Sequence, residues 1–347
     1  WRRLNFSWVI FCKGARFYYI YQSDIFYLYI DFIYMNLQQL EYILAVDSQR
    51  HFAKAAEKCF VTQPTLSMMI QKLEEELGVK IFDRSSQPVV PTNEGEEIIR
   101  RAKLILAETD HLKNYASELK GGDSGEFRLG IIPTLAPYLL PLFLKSFHTR
   151  YPGLKIFVKE MITDDIVEKL NHGELDAGLC ATPIHEKQME EHPLFYEEFF
   201  VYASKGEKLP QKKFLLPRQI DVNHLWLLEE GHCLRNQVYN LCELKKLDRA
   251  GLSYEAGSIE TLVNLVDHNE GITIIPQLAK MGLSSTQKKN IREFANPKPV
   301  REISLVVMNN FPRKKILENL KTEIIRQLPP GMLFQQQKKI RVTEPLG

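Results

Sequence analysis

Gly121-Gly122-Asp123-Ser124-Gly125 divides this chain into two parts with different periodicities. Glycine at that density is unfavourable inside a helix or strand, so the stretch reads as a linker. From Met35 to the linker, apolar residues recur at helical spacing; beyond it, short apolar runs alternate with helical stretches. The pattern predicts an all-α head joined to an α/β body, and 347 residues allow each a core of its own.

In the head, Leu37, Leu40, Ile43, Leu44 and Ala45 mark an amphipathic helix closing near Ser48. Residues 52–59 form a second helix of mostly small side chains, and Phe60-Val61 turns the chain. Thr62 is placed to cap a third helix, Pro64 loses no internal hydrogen bond in its first turn, and Gly78 ends it. Gln63, Thr65, Ser67, Met68, Gln71 and Lys72 lie on its outer face. This is the pattern of a helix-turn-helix, in which outer side chains read base edges and the first amides hold a phosphate. A plain three-helix cluster fits it equally. Charge does not separate the two, because the head is not basic and the whole chain carries a net charge of +2. DNA affinity would rest on the placement of Arg50, Lys54, Lys72 and Arg84. Residues 79–91 suit a β-wing. Thr92 then caps a long helix whose stripe of Ile98, Ile99, Ala102, Ile105, Leu106, Leu112, Tyr115 and Leu119 is too apolar for water. The same helix of a second subunit would cover it.

The body alternates strands at 127–132, 155–161 and 176–179 with helices at 135–150 and 164–172. Further strands are expected at 199–204, 226–228, 252–256, 271–275 and 302–308. Such sheets bind ligands at the carboxyl ends of their strands, where Thr134 sits; a helix cap is its other reading. Residues 332–347 have little to bury and are expected to be disordered. Residues 1–34 begin at Trp1, lack a steady period and contain Asp24 and Asp31, which interrupt any membrane span. No Ala-x-Ala-like cleavage site follows, so they are expected to be a non-native or disordered extension.

Five cysteines, Cys12, Cys59, Cys180, Cys233 and Cys242, are too scattered for a disulfide framework and suggest a reducing cytoplasm. Cys233 and Cys242 flank an apolar row of Leu234, Val238 and Leu241 at helical spacing. A helix there holds their Cα atoms roughly 13 Å apart, whereas a disulfide needs about 4.4–6.8 Å. Arg235, and His232 if protonated, would favour the reactive thiolate of Cys233. A thiol switch is one reading; two inert buried thiols is the other. No metal site is expected, since zinc wants four ligands and the segment offers Cys233, Cys242 and His232 at most. No cofactor is implied.

The strings Phe52-Ala53-Lys54-Ala55-Ala56, Thr62-Gln63-Pro64-Thr65-Leu66-Ser67, Lys72-Leu73-Glu74, Glu76-Leu77-Gly78 and Phe82-Asp83-Arg84 resemble the DNA-binding head of the LysR-type transcriptional regulators. The resemblance runs from Met35 to about Met332. Within the family, Gly130-Ile131-Ile132-Pro133-Thr134, Pro137-Tyr138-Leu139-Leu140-Pro141, Gly231-His232-Cys233-Leu234-Arg235-Asn236-Gln237 with Cys242, Ser258-Ile259-Glu260-Thr261-Leu262 and Gly271-Ile272-Thr273-Ile274-Ile275-Pro276 resemble the hydrogen peroxide sensors. The resemblance implies an N-terminal winged helix-turn-helix (35–93), a dimerising linker helix (94–121) and a C-terminal α/β effector domain (122–331). The effector domain would comprise two periplasmic-binding-protein-like subdomains, 122–198 with 302–331, and 199–301.

It also implies that peroxide oxidises Cys233 and that Cys242 resolves the product as a disulfide. The peroxide pocket would be Thr134, His232 and Arg301, with Thr163 and Gln237. The DNA contacts would be Thr62, Gln63, Pro64, Thr65, Ser67, Met68, Lys72, Arg84 and Arg50. The expected partners are double-stranded DNA, a homodimer or homotetramer, RNA polymerase, and thioredoxin or glutaredoxin as reductant, with no membrane. Two rivals stand beside this: a LysR-type regulator that binds a small organic effector, and a thiol peroxidase, for which the DNA-binding head has no use.

Overall fold

The computed structural model describes residues 11–12, 15–22, 25–31, 35–119, 124–207, 214–242, 255–332 and 340–343. The linker glycines 121–122 and the charged run 243–249 lie outside them. The chain separates into two units, Trp1–Glu108 and Thr109–Gly347.

In the first unit, Phe11–Cys12 (β1), Ala15–Gln22 (β2) and Ile25–Asp31 (β3) pair antiparallel, a ladder that the aperiodic sequence there does not announce. Helix α1 (Leu37–Gln49) opens with a reciprocal cap: the Asn36 side chain accepts from Gln39 N at 3.0 Å, and the Gln39 side chain accepts from Asn36 N at 2.9 Å. Helix α2 (Phe52–Lys58) is capped by the ring nitrogen of His51. Helix α3 (Gln63–Leu77) is capped by Thr62 and closed by Gly78 at φ 69°. Ile43, Val46, Ala55, Ala56, Leu66, Ile70 and Leu73 form the core of the three. Phe82–Asp83 (β4) and Val90–Pro91 (β5) make the wing. Thr92 caps α4 (Asn93–Leu119) by accepting from Gly95 N at 2.9 Å. Gly95 is required there, since a Cβ would stand 2.0 Å from the Ile81 carbonyl oxygen.

The second unit runs β6 (Gly125–Ile131), α5 (Ala136–Arg150), β7 (Leu154–Glu160), α6 (Thr163–Asn171), β8 (Ala177–Thr182), β9 (Met189–Ala203), β10 (Phe214–Leu215), β11 (Leu227–Leu228) and α7 (Cys233–Leu241). It continues through β12 (Glu255–Ala256), α8 (Ile259–His268), β13 (Ile272–Pro276), α9 (Gln277–Gly282), β14 (Ile291–Phe294), β15 (Lys298–Met308), α10 (Lys314–Gln327) and β16 (Ile340–Val342). The main sheet is ordered β10-β14-β9-β15-β8-β6-β7. Strands β9 and β15 pair antiparallel, and β9 passes through two separate cores. One core holds Phe127, Phe143, Leu179, Phe195 and Ile303, the other Phe199, Tyr202, Leu228, Val263 and Ile274, so the change falls between Phe195 and Phe199 on β9.

Strand β9 begins ten residues before the expected 199, although Glu190 is exposed and Pro193 reads as a breaker. Its partner explains this: β15 holds Met189 to Pro193 in its ladder, and the register shifts opposite Pro193, between Ile303 and Ser304. The expectation of a disordered tail also fails, at residues 340–343. Strand β8 leaves β15 after Thr182 pairs with Glu302, and β16 takes the vacated edge in parallel, with Val342 opposite Val300. The tail is polar, but it satisfies backbone groups of β15, which a reading based on apolar content cannot anticipate.

Candidate functional site

Gly231, at φ 92°, turns the chain into α7, and a Cβ there would meet Ile162 at 3.0 Å. Cys233 is the first residue of the helix and Cys242 its C-cap. Leu234, Val238 and Leu241 enter the second core while Cys233 enters the first, so this short helix joins the two. Both cysteines are free thiols. At roughly 1.5 Å of rise per residue their Cα atoms stand about 13 Å apart, so the helix and the disulfide exclude each other.

Burial pushes the Cys233 thiol up, opposed by the positive charge of Arg301, the Thr163 hydroxyl and the amides of the helix start. Arg301 and Glu197 are both 0% exposed. The β9–β15 register sets them opposite each other, and Arg301 Nε and Nη2 each stand 2.8 Å from Glu197 Oε2. Arg301 also donates to the Thr134 hydroxyl at 2.9 Å and the Thr134 carbonyl at 3.1 Å. The Thr134 side chain therefore holds arginine rather than capping a helix; the N-cap of α5 is Leu135, with no side-chain bond. Sequence reasoning missed Glu197, which also accepts from Leu278 N at 2.6 Å. Its one signal is a carboxylate set in the apolar run 194–203.

Arg235 is not the cation beside the thiol. Its guanidinium donates to the Leu228 carbonyl at 2.6 Å and to Glu255 at 2.8 Å, and lies over the Tyr239 ring. Residues two apart on a helix face different directions, so the charge near Cys233 comes from β15 instead.

Two buried polar atoms around α7, His232 Nδ1 and Gln237 Oε1, have no hydrogen-bond partner, and the Thr163 hydroxyl has none beyond the Cys233 thiol it faces. His232 turns its other nitrogen to Glu229 at 3.5 Å. Thr163, Gly231, Cys233 and Asn236 line a cavity of about 410 Å³ with Pro183 and Ile184. Thr134, His232, Gln237 and Arg301 are buried. The arrangement is a neutral thiol at rest, with a fixed cation and helix amides that favour its thiolate, beside unsatisfied donors and acceptors. Burial holds Cys242 up at about 12 and also pushes Cys180, deep in the first core, well above its ordinary value. Among the described residues no group of three or more His, Cys, Asp or Glu side chains could hold a metal ion.

In the first unit, Thr62, Gln63, Pro64, Thr65, Met68 and Lys72 are exposed along the start and outer face of α3, and Ser67 is half-buried. Arg84 is exposed but tied down: it donates to Ser67 at 3.0 Å and Glu74 at 3.1 Å and stacks on Phe52. Glu74 is buried and also accepts from Ile81 N and Phe82 N, which fixes the wing to α3. Arg50 is exposed and paired with Asp47 at 2.9 Å.

Residues 37–96 match the bacterial regulatory helix-turn-helix protein, lysR family, and residues 120–329 match the LysR substrate binding domain. The hydrogen peroxide-inducible genes activator of Haemophilus influenzae is 33% identical over 290 residues, covering 84% of this chain and 96% of that protein. A full-length OxyR variant from Pseudomonas aeruginosa superposes with a TM-score of 0.69 at 31% identity, over 85% of this chain and 99% of that one. A hydrogen peroxide-bound OxyR variant from Corynebacterium glutamicum gives 0.55 at 28% identity, over 85% and 93%. The chain belongs to the LysR family of bacterial helix-turn-helix regulators, and its relatives there include the OxyR proteins.

Proposed function

We propose that this protein is a DNA-binding transcriptional activator that senses hydrogen peroxide through Cys233. The observation that carries the reading is the Cys233 thiol at the start of α7, beside a cavity, with the Thr163 hydroxyl facing it and the partnerless His232 Nδ1 and Gln237 Oε1 buried around the same helix. Hydrogen peroxide both donates and accepts, and it fits such a set of atoms. The Cys233 sulfur attacks one peroxide oxygen, the O–O bond breaks, and the departing hydroxide takes the thiol proton to leave as water. Sulfur is oxidised by two electrons to the sulfenic acid. Cys242 then condenses with it, releasing a second water and forming the disulfide. The helix must unwind, which withdraws Leu234, Val238 and Leu241 from the second core and alters how the two cores share α7.

Arg301, held by Glu197 and Thr134, stabilises the thiolate and the leaving hydroxide. A dimer is supported by α4, on which Ile105, Leu112 and Tyr115 remain 40%, 66% and 44% exposed. Two heads, each presenting α3 to a major groove, would then meet a two-fold DNA site, with RNA polymerase as the downstream partner. The protein works in the cytoplasm, where thioredoxin or glutaredoxin resets the disulfide, and it turns over no substrate as an enzyme. No helix among the described residues is long and apolar enough to cross a membrane.

The test is a tryptic mass map before and after stoichiometric peroxide. The expected result is joint loss of free Cys233 and Cys242 with a bridging peptide. Unmodified Cys233 would overturn the reading and favour an organic effector in the cavity.

A further inference from the structure

Gln237 lies one turn after Cys233 on the same face of α7 and is fully buried. Its amide nitrogen donates to the Thr343 carbonyl at 2.8 Å, while its Oε1 has no partner. A carbonyl cannot donate, so the atom facing Thr343 must be the nitrogen, and the oxygen is left as an acceptor on the far side. Thr343 is itself fixed: its N–H and its hydroxyl each donate to the Val300 carbonyl at 2.8 Å. It is buried, and the strand before it, β16, pairs with β15 up to the residue preceding Arg301. The tail thus ties the sensor helix to the strand that carries the site's cation.

We propose that Thr343 is a positioning residue of the sensor: its carbonyl sets the orientation of the Gln237 amide, so that Oε1 accepts a hydrogen bond from an O–H of the peroxide attacked by Cys233. Without the tail the amide is free to rotate and to present either atom. The inference rests on the peroxide reading and adds a residue far from the cysteines in sequence.

The experiment compares the intact chain with a chain ending at residue 339, with Thr343→Pro, which removes both anchors to Val300, and with Thr343→Ser, which keeps them. Two rates are followed for Cys233: oxidation by hydrogen peroxide and alkylation by iodoacetamide at the same pH. Truncation and Thr343→Pro are expected to slow peroxide oxidation about tenfold, the scale of one ordinary hydrogen bond, and to leave alkylation unchanged. Thr343→Ser should react as the intact chain does. Gln237→Leu should be similarly slow, and combining it with the truncation should slow the reaction no further, because both act on one interaction. Truncated protein that reacts with peroxide at the full rate would overturn the proposal. So would alkylation changing in step with oxidation, which is what loosened packing would give. Failure of the peroxide reading shows separately, as no oxidation of Cys233 in the intact chain, and would take this inference with it.

Discussion

The two ends of α7 hold their thiols in opposite settings. At the first, Cys233 meets the helix amides, the Arg301 charge and the Thr163 hydroxyl, all of which work against the burial that keeps it neutral. At the last, burial acts on Cys242 alone and holds it at about 12; the helix dipole there also disfavours an anion. One helix therefore separates a thiol that can be activated from one that cannot. In the proposed reading, attack on an oxidant falls to the first, and the second has only the condensation step, for which the helix must open.

The largest expected effects break this asymmetry outright. Cys233→Ser should abolish the peroxide response of DNA binding, whereas Cys242→Ser should stop the chemistry at a sulfenic acid on Cys233, trapped with dimedone and seen by mass spectrometry. An equal loss of first-step reactivity in both variants would show the two ends to be equivalent. Arg301→Met should cost about 3–5 kcal/mol in urea unfolding, because it leaves the Glu197 carboxylate buried without its partner, and it should raise the Cys233 thiol further.

The pH dependence sharpens the comparison. A thiol raised above its ordinary value is mostly protonated near neutrality, and its thiolate fraction grows about tenfold per pH unit until the folded-state value is reached. Iodoacetamide alkylation of Cys233 should therefore climb steadily from pH 7 to 9; a plateau in that window would mean that the opposing groups outweigh burial. Val238→Ala should destabilise the protein by about 1–2 kcal/mol through lost packing of α7 in the second core, and it should speed disulfide closure relative to the first oxidation, because the helix opens more readily. Arg235→Ala should have the smallest effect, changing Cys233 alkylation by less than about twofold, since its guanidinium is bound to Leu228 and Glu255.

Much of the head was legible because its signals are local. Thr62, Pro64 and Gly78 bound α3 by their own backbone preferences, and the apolar period set its buried face. The cap by His51 was not legible, because histidine is outside the usual capping set. In the body, the order of strands and helices could be read, yet β9 was cut short at its charged, proline-containing start, where only pairing with β15 sustains it.

What the sequence by itself determined about this protein is an all-α head, an α/β body, and two thiols on one short helix too far apart to bond, all from spacing along a few turns of chain; that the head reads DNA came from its resemblance to the LysR-type regulators, not from spacing. The tertiary structure decided which cation faces the thiol, what holds that cation, and where the tail lies. Arg301 meets Glu197 and Thr134, and Gln237 meets Thr343, across about 100 residues or more. Such contacts are set by the register of β15 against β9 and β16, and register is a property of paired strands that no local pattern encodes.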